Sequence, residues 1–257
     1  MYKEYPISKI LRQLDRDDLL PAIVFRTSRK QCDLDLQQIS RKTYAQASTE
    51  HQNELKEKIA EIARNHNWDL GMFEKHLQYE ALVLYAAGAH HAGQLLPWRL
   101  LLEELMSAGL LRMMIATGTV AAGVDFPARS VVVTAHSKRG HTGFNVLTPS
   151  EFQQMSGRAG RRGKDAVGFC LIAPNPFSDA RVLSDVAKSP PEPLRSAYFA
   201  SPSTVLNLLK YRDVEDLKFI VKNSLAGFVD SEESKYILIE ANDLEKSLNE
   251  LDSNSSE

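Results

Sequence analysis

Short, continuous apolar runs separated by helical patterns dominate this chain of 257 residues. The runs lack a regular alternation of polar and apolar positions, which favours strands that are buried on both faces of a parallel sheet. A weaker candidate strand covers residues 84–89. The stronger predicted strands cover residues 22–25, 112–117, 130–134 and 167–172.

Amphipathic segments lie between these runs and predict helices. Residues 50–64 are rich in strong helix formers, and residues 97–106 begin with a proline, as many helices do. A third helix is predicted over 149–155, where Thr148 is the N-cap and Glu151 completes a capping box. Strands that alternate with helices predict an α/β domain built on a parallel sheet.

The pattern changes at residues 189–193, where three prolines stand within four positions. Proline cannot continue a helix, so this segment predicts a linker or a domain edge. We therefore divide the chain into a domain at 1–190 and a smaller, mainly helical extension at 191–257. Within the extension the pattern predicts helices at 202–209 and 214–228, a strand at 236–239 and a helical end.

Composition and charge place limits on the function. The net charge of −2 provides no overall basic field, so contact with a polyanion has to come from a local cluster. Cys32 and Cys170 are far apart and have no CxxC or Cys/His neighbourhood, so we expect buried free thiols and no metal site. No apolar run approaches the roughly 18 residues that span a membrane, and the polar N-terminus does not resemble a signal peptide. We therefore expect a cytoplasmic protein without membrane contact.

A local basic cluster lies at residues 154–163, whose sequence is QMSGRAGRRG. Glycines at three-residue spacing separate arginines that stay charged at every physiological pH and fork onto phosphate oxygens. The segment suits a triphosphate, although a solvated basic turn explains the glycine spacing equally well. Because it precedes a predicted strand, its loop can lie at either end of the sheet.

Two more polar segments follow predicted strands, where ligands of parallel α/β sheets gather. Residues 26–30 follow the first strand, and residues 117–125 follow the strand at 112–117. In the second segment Thr117 and Thr119 offer hydroxyls, and Gly118 permits close approach to the backbone. A simple strand-to-helix turn explains this segment equally well.

The order and the amino-acid sequences of these segments resemble those of the second RecA-like domain of superfamily-2 DExH-box helicases, in the superkiller and exosome-associated RNA helicase group. The fold implied is a RecA-like parallel sheet with helices on both faces, and residues 206–209 onward resemble the stretch that leads into a winged-helix domain. The matching segments are residues 21–30 (helicase motif IV), 88–93 with Pro97 and Arg99 (the HHAG segment), 116–128 (motif V) and 154–163 (motif VI).

The resemblance implies a role for each matched residue. Arg158 and Arg161 would reach the ATP phosphates across a cleft between two domains, with Arg161 as the arginine finger. The nucleotide-side positions would be Gln154, Gly157, Gly160 and Asp125. The positions along the nucleic-acid backbone would be Arg26, Thr27, Ser28, Thr117, Gly118 and Thr119. The family motif V usually has glutamate where this chain has Gly118, so any contact made by that carboxylate is missing.

The other half of an ATP site is not found in this sequence, which has no G-x-x-x-x-G-K-[ST] loop and no DExH tetrapeptide. We therefore predict the C-terminal motor half of an ATP-dependent helicase that binds single-stranded RNA or DNA. ATP and Mg²⁺ would be held mainly by a first RecA-like domain, and the isolated chain would be an inactive monomer. The alternatives are a non-enzymatic nucleic-acid-binding module with a helicase-like fold and a part of a DNA helicase.

Other residues that suggest chemistry have structural explanations. His90 and His91 are adjacent in a predicted strand, so they point to opposite faces and are poor ligands for one metal. Trp98 and Phe126 could stack on bases, but core packing is the favoured role for both.

Overall fold

A computed structural model describes residues 5–41, 46–118, 128–140, 143–174, 179–196 and 201–254 of the chain. In chain order the elements are α1 (Ile7–Arg16), β1 (Ala22–Arg26), α2 (Arg29–Ile39), α3 (Thr49–Asn65), α4 (Leu70–Glu74), α5 (Tyr79–Tyr85), β2 (Ala87–His90), α6 (Leu96–Ser107), β3 (Met113–Thr117), β4 (Ser130–Val133), β5 (Ser137–Gly140), β6 (Gly143–Val146), α7 (Pro149–Ser156), β7 (Phe169–Ile172), α8 (Ala180–Lys188), α9 (Pro202–Leu208), α10 (Val214–Lys222) and α11 (Leu225–Asn254).

The main sheet is parallel throughout, with the strand order β2-β3-β1-β4-β7. The central strand β1 places Val24 opposite Ile115 on one side and opposite Val132 on the other. This arrangement confirms the predicted α/β, RecA-like parallel sheet. The weak strand prediction at 84–89 is partly wrong, because α5 runs to Tyr85 and Ala86 then turns into the left-handed region (φ 50°). The strand β2 begins only after that turn.

Helices cover both faces of the sheet, as the resemblance implies. In β1, Ile23 and Phe25 join one apolar cluster with residues of α3, α6, α7 and α8. Ala22 and Val24 join a second cluster with residues of α1, α2 and α5. Alternate side chains of a strand point to opposite faces, so two cores on one central strand are the expected result.

The edge strand β7 departs from the predicted burial. Phe169 and Ile172 are 39% and 40% exposed, whereas all residues of β1, β2 and β4 are buried. The expectation of two buried thiols is therefore wrong for Cys170, which is exposed on this edge, while Cys32 is buried in α2. An apolar run alone does not show whether its strand lies at the centre or the edge of a sheet.

The predicted helices at 50–64, 97–106 and 149–155 are confirmed as α3, α6 and α7. The predicted capping box at the start of α7 is also present. The main-chain N–H of Glu151 donates to Thr148 Oγ1 at 3.2 Å, and the Thr148 N–H donates to Glu151 Oε2 at 3.2 Å. This box fixes the start of α7, the helix that carries the first residues of motif VI.

A two-stranded antiparallel hairpin between β4 and α7 was not predicted from the sequence. Its strands β5 and β6 pair Ser137 with Val146 and Gly140 with Gly143. The eleven-residue stretch from Ala135 to Asn145 has few apolar residues, so the period-two signal that identifies a half-buried strand is absent.

The chain divides into two compact units between Glu192 and Pro193. The second unit holds α9, α10 and α11, so the predicted helical character of the extension is confirmed. Its predicted strand at 236–239 is wrong, because these residues lie inside α11, and the predicted helix at 214–228 is broken after Lys222. A four-residue apolar run does not distinguish strand from helix, and Glu and Lys on both sides favour the helix. The domain assignments 1–190 and 191–257, with a winged-helix region to follow, remain predictions.

Helices long and apolar enough to cross a bilayer are absent from the part of the chain that the structure describes.

Candidate functional site

A cavity of about 280 Å³ lies where β1 and β3 end and α7 begins. The two strands are in register, with Arg26 opposite Thr117, so the residues that follow them meet at the same edge of the sheet. The cavity thus joins residues predicted from motifs IV, V and VI. Those residues are Arg26, Thr27, Thr117, Gly118 and Gln154.

Arg26 lies in this wall with its guanidinium directed into the protein. Its Nε donates to Asp35 of α2, and its side chain is only 2% exposed. Its Nη2 also donates to the carbonyl of Tyr5 at 3.4 Å. A buried arginine paired with a buried carboxylate binds β1 to α2, so the guanidinium is not available at the surface for a nucleic-acid contact.

The other two residues predicted from motif IV are exposed. Ser28 has a local structural role, because its Oγ accepts from the main-chain N–H of Gln31 at 3.3 Å and caps α2. The hydroxyl of Thr27 donates to the Gln31 side chain at 3.5 Å. Both residues follow the carboxyl end of β1, and Thr27 lines the cavity.

Gly118, where this chain departs from the family motif V, packs against α7. A Cβ at this position would lie 2.7 Å from Met155 Cε, so a larger residue would require that methyl group to move. The glycine therefore lets motif V approach the motif VI helix closely. Thr119 and Asp125, also predicted as site residues, lie outside the described residues.

Main-chain hydrogen bonds fix the loop that follows α7 and carries the arginines. The N–H of Ala128 donates to the Arg158 carbonyl at 2.9 Å, and the Gly160 N–H donates to the Ala128 carbonyl at 2.7 Å. Ala128 immediately precedes the residues that lead into β4, so the arginine loop lies at the end where β4 and β7 begin. The sequence alone did not show at which end of the sheet this loop lies.

Glycines allow this loop to fold closely. Gly160 and Gly163 have φ values of +89° and +73°, which other residues rarely adopt. Gly168, which the sequence analysis did not select, lies directly against the loop. A Cβ there would lie 2.5 Å from the carbonyl carbon of Ala159 and 2.6 Å from the Gly160 nitrogen. Only glycine fits between the loop and β7.

Arg161 is held by a carboxylate four residues further along the chain. Its Nε donates to Asp165 Oδ2 at 2.7 Å, and its Nη2 donates to Asp165 Oδ1 at 2.8 Å. The hydrogen bonds from Arg161 lower the pKa of Asp165 to about 2, and the same bonds raise the pKa of Arg161 above its ordinary value. Asp165 is therefore charged at all physiological pH values. This pair could not be predicted from the i,i+4 spacing, because residues 161–165 are not helical.

A second cavity, of about 400 Å³, lies beside Arg161. Its lining includes Gly157, Gly160 and Arg161 of the loop, Arg162 and Lys164 beside them, and residues at the end of α6. Among the described residues that line it, three carry positive charge and none carries a carboxylate. This lining suits phosphate oxygens, and its described residues include no carboxylate that could hold Mg²⁺.

The predicted site residues are therefore divided between two places. Gln154 lies with Thr117 and Gly118 in the first cavity, whereas Gly157, Gly160 and Arg161 line the second. Arg158 lines neither cavity; it is half-buried, and its carbonyl accepts from the Ala128 N–H. The motif VI helix and loop thus connect the two cavities.

The histidine pair has the structural role that we predicted. His90 Nε2 pairs with Glu103 of α6 at 2.7 Å, and His91 Nε2 pairs with Asp33 of α2 at 3.1 Å. The two helices lie on opposite faces of the sheet, as expected for neighbours in a strand. Within the described residues no group of three or more His, Cys, Asp or Glu side chains could hold a metal ion.

The predicted core role of Trp98 is also confirmed. Its side chain is 2% exposed and stacks on His76 with ring centroids 3.7 Å apart. Phe126 lies outside the described residues.

Comparison with known proteins agrees with this geometry. The family model described as helicase conserved C-terminal domain matches residues 72–163, which include HHAG, motif V and motif VI. A probable helicase, HelY of Mycobacterium leprae, is 32% identical over 234 residues, which is 88% of this chain and 25% of the relative. The Arabidopsis thaliana DExH-box ATP-dependent RNA helicase DExH15 is 30% identical over 88% of this chain and 20% of its own length.

Human exosome RNA helicase MTR4 is 29% identical over 86% of this chain and 21% of its own length. The chain thus spans a quarter or less of these three relatives. The matched family model, the relatives and the parallel sheet agree with one another, and this chain contains the C-terminal helicase domain of a superfamily-2 DExH-box helicase.

Proposed function

We propose that this chain is the C-terminal motor half of an ATP-dependent RNA helicase and that Arg161 is its arginine finger. The observation that carries the proposal is the position of Arg161, which is fixed at the edge of a cavity lined by positive side chains. We call the protein that joins this chain to a first RecA-like domain the parent helicase. In it, that domain would supply the phosphate loop, the Mg²⁺ ligands and the catalytic base.

The chemistry of the arginine loop supports this role. Arg161, Arg162 and Lys164 stand within four residues and line one cavity, so their fields add at one place although the whole chain is slightly acidic. A guanidinium neutralises the charge that develops on a transferred phosphoryl group, and such a residue is typically worth about 10³–10⁵ in rate. Arg158, two residues after the end of α7, would reach the phosphates from the same loop, whereas Gln154 would act from the first cavity.

The cavity at the ends of β1 and β3 is the proposed nucleic-acid track. Thr27 and Thr117 offer hydroxyls there, exposed Ser28 follows Thr27, and Gly118 lines the same cavity. Thr119 and Asp125 belong to this proposal from the motif match alone. We leave the Arg26 side chain out, because its guanidinium is buried against Asp35.

RNA is favoured over DNA as the substrate because two of the relatives are named RNA helicases. The contacts proposed here are to backbone and nucleotide, and only a contact to the 2′-hydroxyl would distinguish the two nucleic acids.

Two measurements on the 257-residue chain and the parent helicase test the proposal. The isolated chain should hydrolyse no ATP, and the parent helicase should hydrolyse ATP with stimulation by single-stranded RNA. If the isolated chain hydrolyses ATP and Arg161→Ala abolishes that turnover, the site is not divided between two domains.

Filter binding across salt concentrations distinguishes the alternative. A motor half with a net charge of −2 should bind single-stranded RNA weakly without the first domain. Tight binding by the isolated chain, with a steep loss of affinity as salt rises, would instead favour a non-enzymatic binding module.

A further inference from the structure

The contact between Arg161 and Asp165 uses one edge of the guanidinium only. A guanidinium carries five N–H donors in a planar fork. Asp165 accepts from Nε at 2.7 Å and from Nη2 at 2.8 Å, which is the inner, bidentate edge. Nη1 and the second hydrogen of Nη2 form the outer edge, which faces away from the carboxylate and can still donate to a phosphate oxygen.

Asp165 also fixes the backbone of the same arginine. Its Oδ2 accepts from the main-chain N–H of Arg161 at 2.9 Å, and the Asp165 N–H donates to the Arg161 carbonyl at 3.0 Å. The carboxylate side chain is 4% exposed, whereas the Arg161 side chain is 22% exposed. One residue thus holds both ends of the arginine, and the arginine keeps part of its surface open.

Charges around Asp165 keep it in place. The Nε of Arg129 lies 4.0 Å from Asp165 Oδ1, and Arg129 Nη1 donates to Asp18 at 2.9 Å. Arg129 therefore contributes to the low pKa of Asp165 and attracts its carboxylate from the β4 side. Since Arg129 follows Ala128, the pair is tied to the main chain that also anchors Gly160.

We propose that Asp165 is a positioning residue for Arg161. It holds the guanidinium so that Arg161 presents its outer edge to the γ-phosphate of ATP. The proposal rests on the proposed function, in which Arg161 is the finger. An unsupported arginine loses rotamer freedom when it is ordered. Asp165 orders the side chain during folding, so this cost is absent when nucleotide arrives.

The opposite role would be sequestration, in which Asp165 withholds the arginine from ATP. Sequestration requires the carboxylate to occupy the edge that phosphate would use. The observed contact occupies the inner edge and leaves the outer one for a ligand, which favours positioning.

The test compares Asp165→Asn with wild type in the parent helicase. Asparagine keeps the shape and one acceptor, but it loses the charge and the second acceptor for Arg161. We expect kcat to fall about 10- to 100-fold, with KM for ATP changed by less than about 3-fold, because the lost alignment acts in the transition state. The matched control is Asp185→Asn on the exposed surface of α8, which should leave kcat unchanged.

A double-mutant cycle separates positioning from a general loss of structure. In an Arg161→Ala background, Asp165→Asn should cause no further fall in kcat, because the group that it positions is gone. A further fall of about 10-fold in that background would overturn the proposal, and so would a rise in kcat for Asp165→Asn alone. If Asp165→Asn leaves kcat unchanged while Arg161→Ala abolishes turnover, positioning is wrong and the proposed function stands. If Arg161→Ala has no effect, the proposed function itself is wrong.

A second variant covers the case in which Asp165→Asn does not fold. Asp165→Glu keeps the charge but displaces the carboxylate by one methylene. It should lower kcat at least about 3-fold at an unchanged unfolding temperature. An unchanged kcat for this variant would also overturn the proposal.

Discussion

Arg26 and Arg161 each pair with a carboxylate, and the burial of the arginine separates their roles. The side chain of Arg26 is 2% exposed against Asp35, whereas that of Arg161 is 22% exposed against Asp165. The sequence motifs assign both arginines to ligands. Burial of the ion pair decides which arginine can reach a ligand, and a sequence motif does not show burial.

The Arg26–Asp35 pair predicts a large effect on stability. Arg26→Ala should lower the free energy of unfolding by about 3–5 kcal/mol, because it leaves Asp35 as a buried carboxylate without its arginine. Urea unfolding of the isolated chain checks this value. Thr27→Ala, next to it but exposed, should change stability by less than about 0.5 kcal/mol. Loss of RNA affinity without loss of stability in Arg26→Ala would contradict the structural role.

The two cysteines should differ in reactivity. Burial raises the pKa of the Cys32 thiol to about 12, so almost no thiolate forms at neutral pH. Cys170 is exposed on β7, although partial desolvation raises its pKa as well. Alkylation of the folded chain near pH 8, followed by mass spectrometry, should modify Cys170 well before Cys32. Equal rates in the folded chain would show that α2 is not packed as described.

The low pKa of Asp165 predicts how stability depends on pH. Because the folded pKa is about 2 and the ordinary value is 3.8, the ion pair stabilises the fold fully above about pH 4. This stabilisation is lost as pH falls through about 2. The free-energy difference between wild type and Asp165→Asn, measured by urea unfolding, should be about 1–2 kcal/mol at neutral pH and shrink between pH 4 and pH 2. A difference that is constant over this range would contradict the ion pair.

At the scale of elements, the helix and strand positions that carry the site follow closely from the sequence. The T-x-x-E capping box places the start of α7, and the apolar runs place β1, β3 and β4. The wrong or missing predictions concern short segments whose secondary structure depends on the elements around them. Residues 236–239 are apolar in either state, and the β5–β6 hairpin lacks an apolar face that periodicity could detect.

The contact between Gly168 and the arginine loop gives a prediction at this scale. Gly168→Ala should destabilise the chain by about 1–3 kcal/mol, because its Cβ would collide with the main chain of Ala159 and Gly160. Thermal or urea unfolding measures the loss. The control is Gly71→Ala in α4, where the nearest neighbour is 3.4 Å away and helix propensity favours alanine. Equal effects for both variants would mean that the loop does not lie against β7.

At the scale of the whole molecule, the proposed function gives the chain one side of a site that two domains would share. The fold class, the order of the motifs and the position of motifs IV and V at the carboxyl ends of their strands could be predicted from the sequence. The division of the predicted residues between two cavities could not, because it depends on where the loop after α7 attaches. That attachment is made by main-chain hydrogen bonds to Ala128, which any residue type except proline can form.

The proposed function predicts that the isolated chain is inactive. Among the described residues, the cavity beside Arg161 is lined by positive side chains and by no carboxylate. Arg161 is already ordered by Asp165, so under this proposal the isolated chain would hold the finger in place without the groups that bind Mg²⁺ and activate water.

ATP turnover by the parent helicase carrying Arg161→Ala tests the central claim most directly. We expect kcat to fall by about 10³ or more while nucleotide affinity stays within about 3-fold of wild type. Arg64→Ala, on the exposed face of α3, should leave kcat unchanged. A kcat for Arg161→Ala within about 3-fold of wild type would contradict the assignment of this arginine as the finger.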